Sequence, residues 1–82
     1  MPMSVLITPR ARKDLQGIPQ VDRRQLLNRI ESYAATGTGD VTALSGASGN
    51  FRLRWGDWRA IFSVAGTVMT IKQVRHRREV YR

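Results

Sequence analysis

The chain opens on an alternation. Met3, Val5 and Ile7 are separated by Ser4 and Leu6, and a period of two puts the first three on one face of a short strand over residues 3–7. The period then changes. Thr8 and Pro9 form a helix start, because a Thr hydroxyl caps free backbone N–H groups and proline's fixed φ suits the first helical position. Ala11, Leu15 and Ile18 recur at i, i+4 and i+7, which marks one buried stripe. Gly17 and Pro19 end that helix. A second helix is predicted from about residue 19 to 35. Leu26, Leu27, Ile30, Tyr33 and Ala34 share its apolar face, Arg23, Arg24 and Arg29 lie mostly elsewhere, and Gly37 stops it. The two helices read as a helical hairpin.

Residues 37–50 hold Gly37, Gly39, Gly46 and Gly49 among Thr, Ser and Asn, and read as a loop anchored by Leu44. Strict alternation returns at Phe51, Arg52, Leu53, Arg54 and Trp55, with both arginines opposite the apolar groups. Gly56 and Asp57 make a tight turn, residues 58–64 the return strand, and Ala65 and Gly66 a second turn. Residues 67–74 alternate less. Val68, Met69, Ile71 and Val74 fall on both faces, as in a central strand covered on both sides. Residues 75–82 read as a basic tail. The order β-α-α-β-β-β predicts an α+β fold, with the helical hairpin packed on one face of a small, largely antiparallel sheet.

At 82 residues the chain supports one domain, 1–82, since separate cores need roughly 100 residues each. Hydrophobic residues at 41% suffice for one small core. No Cys is present and only one His, so disulfide frameworks, thiolate metal sites and His-rich zinc sites are excluded, and neither metal nor cofactor is expected. No apolar run approaches the ~18 residues of a membrane span, and the first four residues are too polar for a signal peptide. A cytoplasmic protein without a membrane partner is the expectation.

Charge changes the picture more. The formal net charge is +8, and twelve of the fourteen basic residues are Arg, whose rigid fork grips phosphate in a bidentate way. Residues 1–50 carry six basic and four acidic side chains, whereas residues 51–82 carry eight and two. Such a field attracts polyanions. If the helices cover Phe51, Leu53 and Trp55, then Arg52 and Arg54 project from the other face. Arg59 joins them from the return strand, and Arg75 or Arg77 from the last. Like charges at that spacing repel unless an anion neutralises them.

Other chemistries fit less well. The stretch Gly46 to Gly49 is not followed by Lys and Ser or Thr, so it is no phosphate-binding P-loop. Ser63, His76 and Asp57 lack the strand-to-helix elbow of a nucleophilic serine. Asp57 and Glu79, surrounded by arginine, suit ion pairing better than paired-carboxylate catalysis. Trp55 and Trp58 flank a turn and suit core packing better than base stacking.

With this order, the segment Leu44-Ser45-Gly46, the strand Phe51 to Arg54, the run Asp57 to Phe62 and the ending Val74 to Arg82, the chain resembles the RelE/ParE superfamily of type II toxin–antitoxin toxins over nearly its whole length. The resemblance implies a small toxin silenced by a cognate acidic antitoxin. RelE-like members act on the ribosome and cleave mRNA there, whereas ParE-like members poison DNA gyrase and cut no RNA. On the RelE-like reading, the RNA 2′-OH attacks the adjacent phosphate without metal. Arg52 and Arg54 then match the basic pair of the first hairpin strand, Arg59 the phosphate-stabilising residue, Arg77 a second such Arg, and Tyr81 the terminal Tyr that orients the nucleotide. Arg75 and Arg78 add phosphate contacts. The sequence departs from the best-known RelE toxins in having Arg where they carry Lys, and guanidinium is a poor proton acceptor. That leaves His76 as the local candidate for proton transfer, since an imidazole's ordinary pKa of about 6.5 suits the task. A catalytically inactive module that binds RNA or antitoxin is the third reading.

Overall fold

The computed structural model describes residues 2–44 and 49–80. The elements run β1 (Ser4–Ile7), α1 (Pro9–Gln16), α2 (Gln20–Thr36), β2 (Val41–Ala43), β3 (Asn50–Trp55), β4 (Trp58–Ala65), β5 (Val68–His76) and α3 (Arg77–Val80). The strands form one sheet in the order β1-β5-β4-β3-β2, in which β1 runs parallel to β5 and the other pairs are antiparallel. The expected α+β architecture stands, with two additions. A short edge strand, β2, lies inside the segment read as a loop, and the first part of the basic tail extends β5 and turns into α3.

The predicted caps form. The Thr8 hydroxyl accepts from the Ala11 N–H at 3.1 Å, with proline at the first helical position. Gly37 closes α2 at a φ of 78°, where a side chain would be strained, and its N–H reaches the Tyr33 carbonyl at 2.8 Å. Both helices lie on one face of the sheet. Ala11, Leu15, Ile18, Leu26, Ile30 and Ala34 meet Leu53, Ala60, Phe62, Met69, Ile71 and Val74 in a single core. Phe62 is its centre, with the rings of Phe51 and Tyr33 each 5.5 Å away. Val41, not Leu44, is the residue of the 37–44 stretch that packs against this core. Its β2 position opposite Leu53 brings it onto the helix side.

The irregular apolar pattern of residues 67–74 has a different cause from the one expected. Gln73 pairs with Ile61 but Ile71 pairs with Phe62, so Lys72 is an extra residue without a partner on β4. This bulge shifts the side-chain parity by one. Met69, Ile71 and Val74 thereby all reach the same core. Lys72 donates to Asn50 on the far side of the sheet, at 2.9 Å.

The bulge is held from α1. β1 ends at Ile7 opposite Ile71, and beyond it the edge of β5 has no strand neighbour among the described residues. The Thr8 hydroxyl donates to the carbonyls of Ile71 and Lys72 at 2.9 and 3.1 Å. Asp14 then accepts the Val74 N–H at 3.0 Å. A capping hydroxyl and a helix carboxylate thus satisfy the backbone groups that a longer β1 would have paired.

Candidate functional site

Parity brings the arginines together. On the face away from the helices, Arg54 of β3 lies opposite Arg59 of β4, and Arg59 lies opposite Arg75 of β5. Three guanidinium-bearing residues therefore form one row across three adjacent strands. Arg52 occupies the next row, beside Thr42 and Ile61. The β5 bulge is what admits Arg75. Uninterrupted alternation from Met69 and Ile71 would have turned Arg75 to the core and Val74 outward.

The row is unevenly neutralised. Arg54, at its β3 end, donates through Nε to Asp40 Oδ2 at 2.8 Å, an exposed ion pair. Arg75 donates to Gln73 Oε1 at 3.1 Å. Arg59 is different: it is 4% exposed and is the only charged residue in the buried set among the described residues. Its Nη1 donates to the carbonyls of Gly56 and Trp58 at 2.8 and 3.0 Å, and its buried Nε has no hydrogen-bond partner among the described residues. A buried cation is normally matched by an anion. Carbonyl oxygens supply partial charge only, and the cross-strand neighbours are two further cations.

Arg77 arrives at the same corner by another route. It opens α3, which packs against β4 and β5. Its N–H donates to the Asp57 carbonyl at 2.7 Å, and its guanidinium lies 3.8 Å from the Asp57 carboxylate. The β3–β4 turn at Gly56 and Asp57 is thus held by Arg59 from one residue and by Arg77 from the next. Arg78 is exposed. Tyr81 lies outside the described residues, as do Ser45 and Gly46 and the side chain of Glu79.

His76 is not brought to the arginine row. It pairs with Trp58, on the face covered by the helices, and the two rings meet edge to face at 5.1 Å. Its Nδ1 accepts the Arg78 N–H at 3.3 Å. The Trp58 indole continues this contact into the fold, donating to Asp22 of α2 at 3.2 Å. The physical reason is alternation itself: His76 follows Arg75 directly, so adjacent residues of one strand face opposite sides. Trp55 and Trp58 both pack against the core, as expected. Sequence reasoning missed Asp40, the counter-ion of Arg54. It sits 14 residues away in a glycine-rich stretch, where no periodicity marks it.

Against known proteins, the chain matches the family model described as the ParE toxin of the type II toxin–antitoxin system parDE over residues 5–81. No curated protein matches. Among solved structures, the chain is similar to one in a RelBE toxin–antitoxin complex from Mycobacterium tuberculosis, with a TM-score of 0.82 and 23% identity, covering 94% of this chain and 100% of that one. It is also similar to a chain of the RelE–RelB complex from Pyrococcus horikoshii, at a TM-score of 0.78 and 28% identity over 94% and 97% of the two chains. The RelB–RelE complex from Methanococcus jannaschii gives 0.78 and 24%, over 93% and 94%.

Proposed function

Because the chain belongs to the ParE toxin family of type II toxin–antitoxin systems, we propose that it is a toxin whose arginine face grips RNA phosphates and that it cleaves mRNA on the ribosome. One observation carries this reading. Arg54, Arg59 and Arg75 stand in a single row across the sheet, with the central guanidinium buried and, among the described residues, without an anionic partner. A phosphodiester supplies the missing negative charge, and its non-bridging oxygens match the fork of an Arg. The solved complexes of RelE with RelB support the RelE-like branch.

The chemistry is attack of a ribose 2′-OH on the adjacent phosphate, with departure of the 5′-oxygen. Pre-placed guanidinium groups stabilise the charge that builds on the phosphate oxygens, and this is the contribution of Arg59, Arg75 and Arg77. None of them is a good proton acceptor. His76, on the helix-covered face, is not in place to be one. The protein therefore depends on substrate positioning more than on acid–base strength. Naked RNA is cut slowly or not at all, and the ribosome holds the mRNA in line. On the same reading, Tyr81 orients the nucleotide, and Arg52 and Arg78 add phosphate contacts.

A cognate antitoxin rich in Asp and Glu neutralises the same face, since its carboxylates meet the same donors. The family match carries the ParE name, which keeps one other reading in view: binding to DNA gyrase without cleavage. Induced expression followed by primer extension on cellular mRNA separates the two, with supercoiling of a reporter plasmid measured alongside. Discrete new 5′ ends with normal supercoiling are expected. Relaxed plasmid with intact mRNA would assign the protein to gyrase.

A further inference from the structure

Two anchors fix the start of α3. The Arg77 N–H donates to the Asp57 carbonyl in the β3–β4 turn at 2.7 Å. The Arg78 N–H donates to Nδ1 of His76 at 3.3 Å. His76 is the last residue of β5 and directly precedes the helix. Its ring does what a Ser or Asp side chain does at a helix start: it accepts from the backbone two residues on. A helix of four residues needs such a partner, because its first N–H groups find none within it and so short a helix does not persist alone in water. The ring is held in turn. Trp58 lies opposite His76 across the β4–β5 pair, and the two rings meet edge to face at 5.1 Å and 87°. The Trp58 indole N–H donates to Asp22 Oδ2 of α2 at 3.2 Å, and since an indole only donates, the carboxylate orients it. A line of contacts thus runs from α2 through Trp58 and His76 to the second N–H of α3.

We propose that His76 is a positioning residue: its neutral imidazole caps α3 and thereby sets where Arg77 stands, with Trp58 and Asp22 fixing the ring. An Nδ1 that accepts carries no proton, so the ring's single proton is on Nε2. What the cap positions is defined by the turn. Arg77 is bonded at the Asp57 carbonyl, and the carbonyl one residue earlier, Gly56, receives Arg59 Nη1 at 2.8 Å. A displaced α3 therefore moves Arg77 relative to Arg59. That Arg77 meets a phosphate there rests on the function proposed above, whereas the cap itself does not. The role assigned to His76 needs an acceptor and not a titrating proton. Asparagine is a good helix cap and accepts through its amide oxygen, yet it cannot act as a proton carrier. The two roles of His76 are thereby separable.

The test uses the full chain. Imidazole nitrogen shifts in the wild-type protein are expected to report the Nε2–H tautomer, and an Nδ1–H tautomer overturns the cap. His76→Phe keeps an aromatic ring against Trp58 and removes the acceptor, whereas His76→Asn removes the ring and keeps an acceptor. Solvent exchange of the Arg78 amide, followed by NMR, should quicken about 5-fold or more in His76→Phe and stay within about 2-fold of wild type in His76→Asn. Asp22→Ala should quicken the same amide from α2, and Asp22→Asn, which still accepts from the indole, should not. Cleavage of a defined mRNA on ribosomes at saturating protein should slow about 10-fold in His76→Phe and recover to within about 3-fold of wild type in His76→Asn. Unchanged Arg78 exchange in His76→Phe overturns the proposal. Where that variant does not fold, unchanged exchange in Asp22→Ala overturns it instead. A His76→Asn protein with a protected Arg78 amide that cuts as poorly as His76→Phe assigns His76 to proton transfer and also overturns it. A wild-type chain that cuts no mRNA ends the function proposed above, and the Arg78 amide and the tautomer then decide the cap by themselves.

Discussion

Arg59 concentrates the physical tension of the molecule. It is a cation at 4% exposure, bonded to two carbonyl oxygens and flanked across the sheet by Arg54 and Arg75. Removing it should relieve repulsion but strand the Gly56 and Trp58 carbonyls, so the two effects on stability oppose each other. Function has no such offset. Arg59→Ala is expected to abolish growth inhibition on induction while the circular dichroism spectrum stays that of a folded protein. Arg77 gives the cleaner control. Its ion pair with Asp57 is long and exposed, so Arg77→Ala should change the unfolding free energy by no more than about 0.5 kcal/mol. It too should eliminate growth arrest. Toxicity retained in both variants would remove the phosphate site from the mechanism. At this scale the sequence was informative about residue type and silent about pairing. Arginines 52, 54, 59, 75 and 77 were visible as candidates, but nothing in the spacing joined Arg54 to Asp40. His76 is next to Arg75 along the chain, but alternation turns it to the opposite face, against Trp58.

At the scale of elements, α1 and β5 decide the site together. The Lys72 bulge turns Arg75 outward and Val74 inward, and Thr8 and Asp14 hold the backbone on either side of it. Loss of the Asp14 carboxylate leaves the Val74 N–H without its acceptor in a part-buried position. Asp14→Ala should cost about 1–3 kcal/mol in equilibrium denaturation. Asp14→Asn should recover at least half of that, because its amide oxygen still accepts. Amide exchange at Val74 should quicken in the Ala variant alone. Equal stability of the two variants would deny Asp14 this role. The elements themselves were legible where periodicity was strong: both helices, their caps and the β3–β4 hairpin follow from residues that pattern them. β2 was not legible. Three residues inside a glycine-rich stretch carry too little pattern, and the strand exists because the free edge of β3 stands ready to pair.

For the whole molecule, the sheet separates two functions onto two faces. One buries the single core against the helices, and the other gathers cations in a row across three strands, the central one buried. On the proposed function, the charge of +8 draws polyanions to that face. Binding of single-stranded RNA should therefore weaken steeply with salt. Each phosphate neutralised contributes about 0.7 to the slope of log K against log salt, so three to four arginines predict a slope near −2 to −3. Arg75→Ala should reduce it by about 0.7, measured by fluorescence anisotropy at several salt concentrations. A slope near zero, or one unchanged by Arg75→Ala, would mean that the row does not carry the phosphates. Among the described residues, no helix is long and apolar enough to cross a membrane.

Local chemistry in the chain was enough to specify the alternating strands, the capped helices, the excess of guanidinium groups and their separation from the apolar face of β3. Those properties depend on neighbours within a turn or a strand, and such neighbours are written side by side. Whether Arg75 faces outward, which carboxylate meets Arg54, and that His76 stands behind the sheet depended on register between strands and on one extra residue in β5. Register is settled only when distant segments pack and every buried backbone group must find a partner, so only the tertiary structure decided it.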